Sequence, residues 1–94
     1  MRLESSIERS AVTRALSFLG IVLVKMTPAG TTGWPDRLAI LPRGRVVWFE
    51  FKRPGEDATP KQKYIHAQLR TLGHEVHVVT DAEAVLKILE EKLK

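Results

Sequence analysis

One seven-residue run decides most of what this 94-residue chain can become: Val46-Val47-Trp48-Phe49-Glu50-Phe51-Lys52 is apolar on both faces and yet carries two opposite charges. Side chains alternate faces along a strand, so Val47, Phe49 and Phe51 line one side while Val46, Trp48, Glu50 and Lys52 line the other. A strand covered on both sides belongs inside a sheet with helices on its faces. Glu50 and Lys52 then project together, their Cα atoms about 6.6 Å apart at about 3.3 Å per residue. A buried carboxylate or ammonium is costly unless it is paired or bound to a metal. An exposed cross-strand ion pair would explain these two residues alone, but Trp48 and Val46 on the same face weigh against exposure.

The flanking pattern supplies the rest of that sheet. Glu4 to Leu19 reads as a helix, with Glu8, Val12, Ala15 and Leu19 on one stripe and Ile7, Ala11 and Phe18 widening it. Gly20 ends it, and Ile21-Val22-Leu23-Val24 is fit for a buried strand. Pro28 to Pro35 is a loop rich in turn formers, and Pro35 biases Trp34 toward an extended backbone. Asp36 sits where that loop enters a strand, Arg37 to Leu41. Pro42 to Arg45 makes a turn, and Val46 to Lys52 returns as the second arm of an antiparallel hairpin. Thr59 and Pro60 suit the cap and first residue of a second helix, with Ile65, Leu69 and Leu72 as its stripe. Gly73 stops that helix, Glu75 to Val79 forms a fourth strand, and Thr80-Asp81-Ala82-Glu83 has capping-box spacing for a last helix. Val85, Leu86, Ile88, Leu89 and Leu93 give this helix its core face. The expected fold class is α/β, in the order helix, three strands, helix, strand, helix.

Length limits the chain to one domain, residues 1–94, that buries roughly 60 to 65% of its unfolded surface. No cysteine is present, which removes disulfides and thiolate chemistry. The start Met1-Arg2-Leu3-Glu4 is unlike a secretory signal, and no apolar run approaches the roughly 20 residues that span a bilayer. A soluble cytoplasmic protein is the default. The net charge of +4 permits a polyanionic partner. Its distribution is more telling: Arg37, Arg43, Arg45, Lys52, Arg53, Lys61 and Lys63 surround Asp36, Glu50, Glu56 and Asp57, whereas acids outnumber bases after His74.

Acids inside a basic surface suit hydrolysis of a phosphodiester, which needs a positive centre to neutralise developing charge and to acidify water. Asp36 and Glu50 are hard oxygen donors suited to Mg²⁺. Lys52 beside them could orient the attacking water or stabilise charge on the phosphate. Glu8 is a third candidate because it lies on the apolar stripe of the first helix; equally, it could sit at the stripe's edge with its head in water. Glu4, one turn earlier, is a less favoured substitute. Three carboxylates within about 5 Å of one another would repel by roughly 3 kcal/mol per pair at an effective dielectric near 20, a penalty that a cation removes. Gln62 fits a capping box with Thr59, and a role in the site could coexist with that. His66, His74 and His77 lack metal or triad spacing and read as structural or surface residues. The glycines form no phosphate cradle before a helix, so no nucleotide cofactor is expected.

These pieces, Ile7-Glu8, Gly33-Trp34-Pro35-Asp36-Arg37-Leu38, Phe49-Glu50-Phe51-Lys52-Arg53-Pro54-Gly55 and Gln62, occur in the order of the VRR-NUC domain of the PD-(D/E)XK nuclease superfamily, which the chain resembles over nearly its whole length. The resemblance implies a restriction-endonuclease-like αβββαβα core with a small mixed four-stranded sheet. It implies Mg²⁺- or Mn²⁺-dependent cleavage of DNA, with metal held by Glu8, Asp36, Glu50 and the Phe51 carbonyl. Lys52 would be the catalytic lysine and Gln62 a supporting residue. Short versions of the domain resemble phage enzymes that act as homodimers on branched DNA such as four-way junctions, which would place the protein in the host cytoplasm. Arg37, Arg43, Arg45, Arg53, Lys61 and Lys63 are candidates for phosphate contact. A binding module that keeps the fold without catalysis would use the same basic surface. A structural protein with a buried ion pair would leave Asp36 and Glu8 unexplained.

Overall fold

The run Val46–Phe51 lies inside a four-stranded sheet, as its two apolar faces require. In the computed structural model, which describes residues 3–94, the elements follow as α1 (Leu3–Arg14), β1 (Leu23–Lys25), β2 (Arg37–Ile40), β3 (Val46–Phe51), α2 (Pro60–Thr71), β4 (Glu75–Val79) and α3 (Ala82–Lys92). Met1 and Arg2, part of the stretch read above as unlike a secretory signal, lie outside the described residues. Strand order is β1-β2-β3-β4. The first two pairings are antiparallel, and β3 pairs with β4 in parallel because α2 carries the chain back across the sheet. The fold is α/β with a mixed sheet. Among the described residues no helix is long and apolar enough to cross a membrane.

Alternation along β3 divides the core in two. Val47, Phe49 and Phe51 pack with Ala11 and Ala15 of the first helical segment and Val85 and Leu89 of α3. On the opposite face Trp48 packs with Leu69 of α2 and Val76 of β4, with Trp34 and Ile65 against them. Glu50 and Lys52 share that second face and are only 2% and 7% exposed, so the exposed ion-pair reading fails.

Three local expectations are corrected. The α-helical part of the first helix ends at Arg14, and Ala15–Leu19 continues as a π turn closed by Gly20 at φ 68°. Wider winding rotates the residues that follow, so Phe18 faces outward instead of joining the stripe. The strand after it begins at Leu23 and is an edge strand: Ile21 and Leu23 are buried while Val22 and Val24 are exposed. The last helix is capped by Asp81, whose carboxylate accepts the Ala84 amide at 2.7 Å, and not by Thr80. Thr59 and Gln62 do form the expected capping box: Thr59 Oγ1 accepts the Gln62 N–H and Gln62 Oε1 accepts the Thr59 N–H.

Candidate active site

The antiparallel hairpin brings the start of β2 and the end of β3 to one edge of the molecule, and this is where the charges gather. Arg37 stands opposite Phe49. One step further, Asp36 comes beside Glu50 and Pro35 beside Phe51. Proline has no N–H, so β2 offers no ladder donor to the Phe51 carbonyl, which points the same way as the Phe51 amide. That amide instead donates to Asp36 Oδ2 at 2.8 Å. Pro35 is buried, and the Trp34 ring lies against Trp48 with centroids 5.8 Å apart, which anchors the loop leading to Asp36. Gly33 adopts φ 91° and lies so close to α2 that a Cβ there would stand 2.8 Å from Lys61 Cγ.

Glu50 is held from α2. Gln62 Nε2 donates to Glu50 Oε2 at 3.2 Å, so the glutamine caps the helix and touches the carboxylate at once. Burial and then the Asp36 carboxylate push the Glu50 pKa up to about 8, only partly opposed by Lys52. A buried carboxylate whose proton affinity is raised by a neighbouring acid in this way is a ready site for a cation. Glu50 Oε1 is buried without a hydrogen-bond partner. This donor set, two carboxylates, one of them with an unbonded oxygen, and a carbonyl, fits Mg²⁺ or Mn²⁺, since such an ion is commonly held by one or two carboxylates and keeps several waters. Among the described residues no group of three His, Cys, Asp or Glu side chains is placed to hold an ion.

Glu8 is not brought to that pair. Its Oε2 accepts from Arg37 Nε at 2.6 Å and from Lys25 Nζ at 3.0 Å. Lys25 and Arg37 are cross-strand partners, and Arg37 pairs with Phe49, so this cluster lies on the α1 side of the sheet, opposite Asp36 and Glu50. Burial works to raise the Glu8 pKa, but the Arg37 and Lys25 hydrogen bonds outweigh it and hold the carboxyl below its usual range. Glu4 is the acid near the site instead: its charge adds, as the smallest of the causes, to the upward push on Glu50. Glu4 lies four residues before Glu8 on the same stripe, so spacing alone cannot choose between them.

The basic candidates divide by position. Arg37 is engaged inside the protein by Glu8 and the Leu23 carbonyl. Arg43 and Arg45 lie at the closed end of the hairpin, Arg45 about 16 Å along the strand from Glu50 at about 3.3 Å per residue. Its guanidinium donates to the Pro42 and Lys92 carbonyls. Arg53, Lys61 and Lys63 are at the open end, where Arg53 and Lys63 form exposed ion pairs with Glu56 and Asp57.

His66 was missed. It is 1% exposed on α2, one turn after Gln62, and its Nε2 stands 3.5 Å from Glu50 Oε1. Burial, then the Arg70 and Lys52 charges, push its pKa down, so the imidazole is neutral. The i, i+4 spacing from Gln62 was the available signal. His74 and His77 have structural roles: His74 Nδ1 accepts the Trp48 Nε1–H at 3.0 Å, and the His77 ring stacks on Phe49 on the other face.

No family model matches the chain. A protein of Acyrthosiphon pisum secondary endosymbiont phage 1, "Putative nuclease p44", is 43% identical over 86 residues, 92% of this chain and 90% of that protein. A solved structure described as a "VRR_NUC domain" superposes with a TM-score of 0.83 at 32% identity, covering 96% of this chain and 97% of that one.

Proposed function

The chain belongs to the VRR_NUC domain family, and we propose that it is a divalent-metal-dependent DNA endonuclease that cuts branched DNA such as four-way junctions. The observation that carries this reading is the buried Glu50 carboxylate beside Asp36, with Gln62 bonded to it and Lys52 buried on the same face. Asp36, Glu50 and the Phe51 carbonyl would hold Mg²⁺ or Mn²⁺. Glu4 would add negative charge in the place expected for Glu8. When bound, such an ion supplies a positive centre that acidifies water and neutralises charge on the phosphate.

The chain's own residues prepare that chemistry. The Phe51 amide holds one oxygen of Asp36 and Gln62 holds one oxygen of Glu50, so each carboxylate is partly oriented before the reaction. Lys52 stands ready to donate hydrogen bonds to the attacking water or to the scissile phosphate as negative charge builds there. Arg53, Lys61 and Lys63 would take the flanking phosphates, exchanging weak exposed ion pairs for contacts to DNA. Two cuts in a junction call for two active sites, and a symmetric dimer supplies them. The open β1 edge, with Val22, Val24 and Ile40 exposed beside it, is the surface we assign to pairing. Action on DNA in this manner would place the protein in the host cytoplasm.

The test incubates labelled junction, flap and duplex DNA with Mg²⁺, Mn²⁺ or EDTA, using wild type, Asp36→Asn and Lys52→Ala. Junction cleavage that requires metal and is lost in both variants supports the reading. Cleavage that persists in EDTA rejects the mechanism, and tight binding without cleavage under every metal points to a non-catalytic module.

A further inference from the structure

Gln62 and His66 are four residues apart on α2, so both side chains leave the same side of the helix. Gln62 reaches one oxygen of Glu50, Oε2, at 3.2 Å. His66 Nε2 faces the other, Oε1, at 3.5 Å, and both of these atoms are buried with no hydrogen-bond partner among the described residues. A buried ring nitrogen and a buried carboxylate oxygen left in this state destabilise the protein unless they answer one another. Contacts of this kind are often long in the free enzyme and tighten when the site is loaded.

On the reading of this chain as a metal-dependent nuclease, we propose that His66 is a positioning residue whose Nε2–H closes onto Glu50 Oε1 and, with Gln62 on Oε2, fixes the carboxylate in the orientation that grips the cation. Helix α2 is then a two-point clamp on a single carboxylate. His66 touches neither substrate nor metal in this arrangement; it acts by holding the rotation of the Glu50 carboxylate about its last bond. Outer partners of metal ligands commonly set affinity in this way, and their loss weakens metal binding or activity 10- to 100-fold. A purely space-filling histidine would need no nitrogen at this position and would be replaced by leucine without consequence for metal.

The experiment compares wild type, His66→Gln and His66→Leu in three measurements: Mn²⁺ affinity by calorimetry, junction cleavage with kcat and KM separated, and the imidazole tautomer by long-range proton–nitrogen NMR of the Mg²⁺-loaded protein. We expect His66→Leu to weaken Mn²⁺ binding and to lower kcat by about tenfold or more, with KM for DNA unchanged. His66→Gln, which keeps a donor, should recover most of both. Wild type should show the Nε2-protonated tautomer. Equal Mn²⁺ affinity in wild type and His66→Leu, or the Nδ1-protonated tautomer, overturns the inference while leaving the nuclease reading intact. Equal losses in both variants that merely follow their melting temperatures also overturn it. Wild type that neither binds Mn²⁺ nor cleaves removes the nuclease reading, and this inference with it.

Discussion

The backbone amide of Phe51 donates to the side chain of Asp36 at 2.8 Å, joining the last residue of β3 to the residue just before β2. Asp36 therefore serves two ends, an acceptor for the strand and an anion for the site. Asn at this position keeps an acceptor oxygen and removes the charge. We expect Asp36→Asn to melt within a few degrees of wild type while metal-dependent cleavage falls at least about a hundredfold, equivalent to roughly 2.7 kcal/mol in the barrier. Thermal melting beside a single-turnover assay separates the two effects. A variant as active as wild type would mean that the charge has no part in the reaction.

Glu50 ties stability to pH with a definite sign. Its pKa is about 8 in the folded protein, against 4.5 for the ordinary carboxyl, because of burial and then Asp36. Between those values the folded state keeps a proton that the unfolded chain has released, so this contribution is fully present below about pH 4.5 and is lost as pH rises through 8. The melting temperature of the protein in EDTA should therefore fall as pH rises from about 6.5 to about 8; below 6.5 the lowered pKa of His66 works in the opposite direction. Glu50→Gln should flatten the decline. Carboxyls with lowered pKa, such as Glu8 and Glu83, lose their contribution on the acid side of 4.5 and leave this window undisturbed. A melting curve independent of pH in wild type would contradict the assignment.

Gly33 sets the position of the loop before Asp36. Its φ of 91° is unfavourable for other residues, and a Cβ would meet Lys61 Cγ at 2.8 Å and the Lys61 carbonyl oxygen at 3.0 Å. Gly33→Ala should cost about 1–3 kcal/mol, which for a domain of this size is roughly 4–8 °C per kcal/mol in melting temperature. Cleavage should decline further than the melting temperature explains, because the loop that moves carries Asp36. Loss of stability with full activity in the folded fraction would show that the loop's position is not critical.

The two jobs of Gln62 can be separated. Thr59→Ala removes the cap that accepts the Gln62 amide and should lower stability by about 0.5–2 kcal/mol with little change in cleavage. Gln62→Glu keeps a capping-box acceptor but replaces the donor to Glu50 with a like charge. Cleavage should drop about tenfold or more in that variant while its helix content by circular dichroism stays at the wild-type level. Equal cleavage by Gln62→Glu and wild type would leave the glutamine as a cap alone.

Much of this was legible in the sequence where the signal is local. The buried character of Glu50 and Lys52, the hairpin, the capping box at Thr59 and the strand Glu75–Val79 all follow from alternation, turn formers or short spacing. Residues decided by distant partners were harder. Phe18 points outward because a π turn beginning at the buried Ala15 rotates the end of the first helix, which no local sequence signal marks. His66 looked like an ordinary helix residue because its partner is sixteen positions away on a strand. Arg37 read as a DNA contact because nothing nearby in the chain shows that Glu8 will accept from it.

The choice between Glu4 and Glu8 rests on the same kind of distant pairing, and it can be tested directly. Both lie on one stripe of α1, one turn apart. Lys25 and Arg37 are set side by side by the β1–β2 register, and they hold Glu8 against the sheet face away from Asp36. Glu4 acts electrostatically on Glu50. Glu8→Gln should lower stability by roughly 1–2 kcal/mol, less than a fully buried pair because Lys25 is half in solvent, and should leave cleavage by the folded protein near wild type. Glu4→Gln should do the reverse, weakening Mn²⁺ dependence and cleavage with melting close to wild type. Should Glu8→Gln abolish cleavage without unfolding the protein, the sequence ranking of the two glutamates was right, and α1 must rotate to free Glu8 from Arg37 when metal and DNA bind.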